Sequence, residues 1–313
     1  MIRTTLCAFA AGVLALTSVA PCQADLFATV ASRNQVLRID STTGAVTRTY
    51  DLPAFLPMNN APMNGLAFDG QMLYLTRRGG TNEFDELWRF DVINEFWSPP
   101  AILSTFPNPS GVFQPVSGLG YRADEFGGSL IAVTRNPADS PPSYIFQYLA
   151  PPIFPFDPPI LLGAPGELPP DMDAMGADID PVTGDLWVSA EEVLGSTRTT
   201  RLLRTDLTGT VLQTLTPALP PVTLIRGVGF DGGSMFIAGR NLPSQTNDVY
   251  EIDRTTGAVL RSFSLPVNTM VGALAGGEVI PEPATTSLLV VATAAGFGAM
   301  RRRGRKSCGR CAK

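Results

Sequence analysis

Apolar and polar residues alternate along this chain in short runs, each closed by Gly, Pro, Asn or Asp. The clearest stretch is 226–265, where four runs follow one another: Gly227-Val-Gly-Phe-Asp231, Ser234-Met-Phe-Ile-Ala-Gly-Arg240, Asp248-Val-Tyr-Glu-Ile-Asp253 and Ala258-Val-Leu-Arg-Ser-Phe-Ser264. Short runs rich in β-branched and aromatic residues between turn formers predict β-strands. The first run recurs as Gly65-Leu-Ala-Phe-Asp69, Gly118-Leu-Gly-Tyr-Arg122, Gly176-Ala-Asp-Ile-Asp180 and Gly272-Ala-Leu-Ala-Gly276. With Gly227 counted in chain order, the spacings are 53, 58, 51 and 45 residues. Second strands are expected at Met72–Arg78, Leu130–Arg135, Leu186–Glu191 and Met235–Arg240. Third strands are expected at Glu86–Asp91, Tyr144–Tyr148, Arg201–Asp206 and Asp248–Asp253.

A four-stranded unit of about fifty residues cannot bury both faces alone, whereas copies stacked in a ring can. The pattern therefore predicts an all-β fold, a five-bladed β-propeller over residues 25–278. Its fifth copy has only a first strand near the C-terminus, and Leu26–Arg33 with Gln35–Asp40 supplies the missing ones. Pairing of N- and C-terminal strands in one blade removes the open edge. Six blades is the alternative, if 136–170, with eleven Pro from Pro137 to Pro170, holds a degenerate unit. The aromatic clusters there, Tyr144-Ile-Phe-Gln-Tyr148 and Ile153-Phe-Pro-Phe156, read either as a binding loop or as decorated outer strands. Asp40-Ser-Thr-Thr-Gly44, Asp180-Pro-Val-Thr-Gly184 and Asp253-Arg-Thr-Thr-Gly257 look like calcium loops but read better as hairpin turns. In such turns Asp accepts its own downstream amides and Gly takes a positive φ.

The two ends are of different character. Residues 1–24 combine Arg3, an apolar stretch from about Leu6 to Val19 and a small residue at Ala24, the pattern of a secretory signal peptide. At the other end Pro281-Glu-Pro283 precedes an apolar run from Ala284 to Met300 and then Arg301-Arg-Arg-Gly-Arg-Lys306. Seventeen residues as a helix span about 25 Å, enough to cross a bilayer, with the basic cluster held in the cytoplasm. Residues 279–306 resemble the PEP-CTERM sorting signal of Gram-negative bacteria, with Pro281, Glu282 and Pro283 as its motif. The resemblance implies recognition by an exosortase-type membrane protease. It also implies export across the inner membrane and a place at the cell surface or in the extracellular matrix, among proteins linked with exopolysaccharide and biofilm. Residues 307–313 add a short cytoplasmic tail, longer than the usual ending. Its Cys308-x-x-Cys311 has no second pair and reads as unstructured.

Composition narrows the chemistry. One of the 23 basic residues lies in the leader and seven lie in 301–313, so residues 25–300 keep 15 Arg against all 28 acids, a net charge near −13. That balance disfavours nucleic acid. The same segment has no His, Cys or Lys, which removes Ser-His-Asp and Cys-His catalysis, thiolate or imidazole zinc sites, Schiff bases and disulfides. Carboxylate, Tyr and Arg chemistry remains, or an oxygen-ligand ion such as calcium. No cofactor is expected otherwise.

Second strands end in Arg78, Arg135 and Arg240, and Arg33 holds the same place in the shared blade. Strand ends of one kind share a face, so these guanidinium groups are expected around one mouth. There they would suit an acidic polysaccharide, or would bridge to neighbouring carboxylates and staple the ring. Blade four departs from the pattern. Asp178 stands where other copies have Ala67, Gly120, Gly229 and Leu274, so it is expected to face the central channel. Glu191 replaces Arg, and Asp171 and Asp173 lie upstream. Asp171, Asp173 and Asp178 are candidate calcium ligands; Asp178 and Glu191 are the acid and base of an alternative glycan hydrolase or lyase; charge balance with the Arg ring is the third reading. The favoured reading is a non-enzymatic surface protein that binds an acidic glycan or another envelope component.

Overall fold

The structure, a computed structural model, describes residues 24–30, 34–52, 63–78, 85–103, 114–123, 128–135, 142–149, 160–194, 197–220, 223–242, 244–266 and 271–278. The chain divides into two compact units, Met1–Val279 and Ile280–Lys313. The motif 281–283, the apolar span 284–300 and the tail 307–313 lie outside the described residues, as do leader residues 1–23. Every regular element among the described residues is a strand, and no helix there is long and apolar enough to cross a membrane.

The chain opens with β1 (Ala24–Val30), β2 (Gln35–Asp40) and β3 (Val46–Asp51). Blade two is β4 (Met63–Phe68), β5 (Met72–Arg78), β6 (Asp85–Asp91) and β7 (Phe96–Leu103). Blade three is β8 (Val116–Arg122), β9 (Ser129–Thr134) and β10 (Tyr144–Leu149), with the short β11 (Ile160–Leu161) and β12 (Gly166–Glu167) both paired to β10. Blade four is β13 (Met172–Ile179), β14 (Leu186–Leu194), β15 (Thr197–Thr205) and β16 (Val211–Leu215). Blade five is β17 (Thr223–Asp231), β18 (Ser234–Asn241), β19 (Thr246–Ile252) and β20 (Val259–Leu265). The last strand, β21 (Val271–Glu278), pairs antiparallel with β1, setting Ala24 opposite Glu278 and Leu26 opposite Gly276. Blade one is therefore β21-β1-β2-β3, built from both ends of the domain.

There are five sheets among the described residues, and the proline-rich stretch contributes the outer part of blade three rather than a sixth blade. Its Tyr144, Phe146 and Tyr148 point into the core between blades two and three and are buried; Ile153–Phe156 lies outside the described residues. The innermost strands pack side by side in the order β21, β4, β8, β13, β17, and β17 returns to β21. They are buried along most of their length, whereas outer strands such as β16 and β20 are half-buried or open except at one end. That gradient is what inner and edge strands of a ring require.

The apolar core lies between blades rather than within them. Trp88, Phe90 and Leu73 of blade two pack on Phe27, Tyr50 and Ala275 of blade one. Trp187 and Leu202 of blade four pack on Phe230, Ile237 and Tyr250 of blade five. Each such side chain contributes about 1.5–3 kcal/mol by leaving water, and only when the neighbouring blade is in place.

The repeated glycines make this packing geometrically feasible. A Cβ on Gly118 would stand 2.3 Å from the Ala177 amide nitrogen of the next blade, and one on Gly176 would stand 2.6 Å from the Arg226 carbonyl oxygen. On Gly227 it would meet the Leu274 amide at 2.4 Å, and on Gly272 the Met63 carbonyl at 2.0 Å. All of these obstacles are backbone, which cannot swing aside. A β-bulge precedes the glycine in blades two to five, leaving Asn64, Ser117, Met175 and Arg226 as the extra residues, and β21 is irregular at the matching place. The three Asp…Gly segments are turns. Asp40 and Asp253 each accept two downstream amides, Asp180 accepts the Val182 amide, and Gly44, Gly184 and Gly257 have φ near +75°.

Replacing Gly118 by Ala is expected to cost about 2 kcal/mol or more of unfolding free energy through backbone displacement at the axis. Gly233 has open space around it, and Gly233→Ala should stay within about 0.5 kcal/mol of the parent. Urea unfolding of both variants checks the difference, and equal midpoints would remove the glycine ring as a packing constraint.

Candidate functional site

Antiparallel connectivity gives the ring two faces. Turns from first to second and from third to fourth strand lie on one face, here the turn face; the remaining connections lie on the other, the mouth. Arg78 ends β5, Arg240 is the penultimate residue of β18 and Arg135 directly follows β9, so all three come to the mouth. Strand β21 runs the opposite way, and Glu278, beside Ala24, comes to the turn face.

The described arginines are not equivalent. Arg135 reaches into blade four, where its Nε donates to Oδ2 of buried Asp173 at 3.2 Å, and about a third of its side chain stays open. It bridges two blades. Arg240 donates through Nη2 to Oε1 of Gln245 in its own hairpin loop. Gln245 has φ +57° and also donates to the Leu242 carbonyl, so this bond closes the loop and leaves the neighbouring blade untouched. The Arg78 side chain and the whole of Arg33 lie outside the described residues.

Blade-four acids are spread along the strands rather than gathered. Asp173 stands opposite Glu191 in the register and Asp178 opposite Trp187. Asp178 lies five positions beyond Asp173, at most about 16 Å along an extended strand, with a bulge between them. Among the described residues no group of three or more His, Cys, Asp or Glu is placed to hold a metal ion, so Asp171, Asp173 and Asp178 do not form the expected ligand set. From Trp187 to Glu191 is about 13 Å along β14, whereas paired carboxylates on one glycosidic bond lie within about 10 Å. Glu192 is occupied by Arg201, whose Nη2 lies 2.7 Å from Oε2.

Asp178 does not open onto the channel as expected. It is 6% exposed. Its Oδ1 accepts the Ile179 amide at 2.8 Å and its Oδ2 accepts the Phe230 amide of blade five at 3.1 Å. The Gly276 amide of blade one also favours its charged form. Burial pushes this carboxyl well above the ordinary range; the three amides pull the other way without offsetting it, and neighbouring Asp180 pushes it further up.

Sequence reasoning missed two sets of residues. The first is the bulged position before each glycine, where Asn64, Ser117, Met175 and Arg226 stand nearer the axis than the second-strand arginines. Arg226 Nη1 lies 3.2 Å from Met175 Sδ across the seam between blades four and five. Its signal was present, since these residues always precede the repeated glycine. The second set is polar side chains that hold the next blade's innermost strand. Asp85 Oδ2 accepts the Val116 amide at 2.8 Å, Ser143 Oγ bonds the Met172 carbonyl and the Ala174 amide, and Asn247 Oδ1 accepts the Val271 amide. On the turn face Arg254 Nη1 meets Asp180 Oδ2 at 2.6 Å, and Ser41 bonds Asp231. In both cases the residue after the outer-turn Asp of one blade meets the Asp at the end of the preceding blade's first strand.

No protein-family model matches the chain, and no curated protein matches it. Among solved structures, the chain is similar to a structure of a nidogen/laminin complex at 13% identity and TM-score 0.46, over 82% of this chain and 99% of that one. It is also similar to a putative 6-phosphogluconolactonase from Bacteroides uniformis at 10% identity and TM-score 0.42, over 82% and 99%. A third likeness is the Dos1 propeller, at 12% identity and TM-score 0.38 over 78% and 62%.

The different partners of the two arginines separate stapling from surface roles. Arg135→Ala is expected to lower stability by about 1–3 kcal/mol, because the cation beside a buried carboxylate is lost. Arg240→Ala, near the end of β18 with its bond to its own hairpin loop, should change it by no more than about 0.5 kcal/mol. Denaturant midpoints of the two variants measure this, and equal losses would contradict the assignment.

Proposed function

We propose that the protein is an exported, surface-associated propeller without catalytic activity, which presents its mouth to an acidic polysaccharide. The observation that carries this reading is the opposed placement of two features. Arg78, Arg135 and Arg240 come to the mouth, and β21 ends on the other face, where the chain continues toward Pro281-Glu282-Pro283. Arg78, Arg135 and Arg240 thus lie on the face opposite the last described residue, Glu278. Guanidinium groups on an otherwise acidic protein supply local, bidentate recognition of carboxylate or sulfate without a general affinity for polyanions. The absence of His, Lys and Cys from residues 25–300 and the dispersed blade-four acids support binding over turnover.

Polygalacturonate binding by the full chain, followed by calorimetry, tests the mouth. Arg240→Ala, which leaves the fold intact, is expected to weaken binding at least about fivefold, near 1 kcal/mol, with no new reducing ends formed. Turnover of the polymer, or binding indifferent to Arg240 and Arg78, would overturn the reading. The sorting role is tested separately in a host that carries an exosortase-type protease. Alanines at Pro281, Glu282 and Pro283 should leave the tail on the chain by mass spectrometry, and removal of the tail from the variant would refute that role.

A further inference from the structure

Among the described residues six large apolar side chains stand in the open: Phe96, Ile160, Leu162, Val182, Leu212 and Leu260. Singly exposed hydrophobic residues are ordinary on a protein surface, but these are not scattered. Phe96 and Ile160 are the first residues of β7 and β11, and Leu212 and Leu260 are the second residues of β16 and β20. Each stands at the turn-face end of an outer strand, just after the connection from the blade's third strand, in four successive blades. Phe96 is 61% exposed, Ile160 63%, Leu212 52% and Leu260 60%. Leu162 lies just beyond Ile160, and Val182 lies in the β13–β14 turn, also on the turn face.

Edge protection does not account for them. In blades one, four and five a bulge at this place leaves Thr47, Leu212 and Leu260 as the extra residue, and a bulge by itself blunts a sheet edge. Exposed Thr47 fills the position in blade one with a short polar side chain. The large residues of the other blades therefore add what a bulge does not need, an arc of apolar tips around the rim of one face. Points spread over four blades of a ring are covered together only by a broad, flat surface. A peptide or a small ligand would reach one or two of them.

We infer that the turn face rests on a zwitterionic lipid surface, with Phe96, Ile160, Leu212 and Leu260 entering its interfacial layer. Charge selects this occupant. Residues 25–300 carry a net charge near −13, and Asp40, Asp206 and Asp253 lie in turns of this face. Two copies stacked turn face to turn face would oppose like charges, and an anionic leaflet would repel the domain. Zwitterionic headgroups carry both signs, and so do the ion pairs that flank the apolar tips. Glu95, beside Phe96, pairs with Arg48, and Arg261, beside Leu260, pairs with Glu251. Gln213, beside Leu212, stands opposite Arg204, which pairs with Asp185. The apolar tips gain by leaving water while the charged ends stay at headgroup level. The polysaccharide reading concerns the other face, so the two stand or fall separately.

Hydrogen exchange of the full chain with and without phosphatidylcholine vesicles tests this. The Glu95 and Thr208 amides, in the outer turns of blades two and four, should exchange at least about threefold more slowly on vesicles, and the Gln245 amide at the mouth should not change. Vesicles of phosphatidylglycerol should slow them less. The joint substitutions Phe96→Thr, Ile160→Thr, Leu212→Thr and Leu260→Thr, which copy blade one, should abolish the slowing. These amides report on the turn face itself, whatever other segment of the chain meets the vesicle, and the unaltered chain decides the matter even where the fourfold variant fails to fold. Exchange indifferent to vesicles, slowed equally at Gln245 or slowed more on phosphatidylglycerol would overturn the inference. So would slowing that survives in the folded variant, or slowing that grows with protein concentration when no lipid is present, the mark of a second copy.

Discussion

The contact on which the structure depends is backbone against backbone at the axis. Gly118 lies against Ala177, Gly176 against Gly227, Gly227 against Leu274 and Gly272 against Met63, each at a distance that leaves no room for a methyl group. This crowding sets how near the innermost strands approach, and hence the angle at which each sheet leaves the axis. The aromatic layers between blades, with Trp88 on one seam and Trp187 on another, fill the wedge that this angle opens. Close approach at the centre and bulk further out are two parts of one constraint.

Polar groups stitch the same seams. Asp85, Ser143 and Asn247 each hold the entry of the next innermost strand, and Arg254 and Ser41 meet carboxylates at the turns. A buried amide without a partner costs about 1–3 kcal/mol, so these side chains act where bulges interrupt the ladder and free a backbone group. Asp178 belongs to the same system: its bond to the Phe230 amide carries it across the seam, buried rather than open to the channel. Arg135 is likewise part of the stitching, so a guanidinium at the mouth is not by that fact a ligand site.

Much of the architecture was legible beforehand. The repeated opening glycine and the Asp…Gly turns located the first three strands of every blade within a few residues, because these positions answer to local sterics and to the period of the strand. Five blades is the count the spacing favours, with six left open by 136–170, and the shared closing blade follows from the strands missing after Gly272. Less legible were the outer elements of blade three, where β11 and β12 are two residues each and carry no period to read. The candidate site was legible by position but not by partner. Arg135 and Arg240 occupy equivalent strand ends, yet one reaches a buried carboxylate in the next blade and the other its own loop. That difference depends on which side chain stands across the seam.

By itself the sequence determined the inner strands, their turns, the repeating unit, the chemistry excluded by missing His, Lys and Cys, and the strand ends that share a face. These properties depend on neighbours along the chain or on composition. The tertiary structure alone decided that Asp171, Asp173 and Asp178 do not gather, that Asp178 is buried and accepts an amide from blade five, and that Arg226 meets Met175 across the seam between blades four and five. Such facts arise where residues about fifty positions apart are pressed together, and no local pattern encodes the distance between them. The opening glycine shows both sides. Its recurrence was plain in the sequence, whereas the backbone that forbids a side chain there belongs to the next blade.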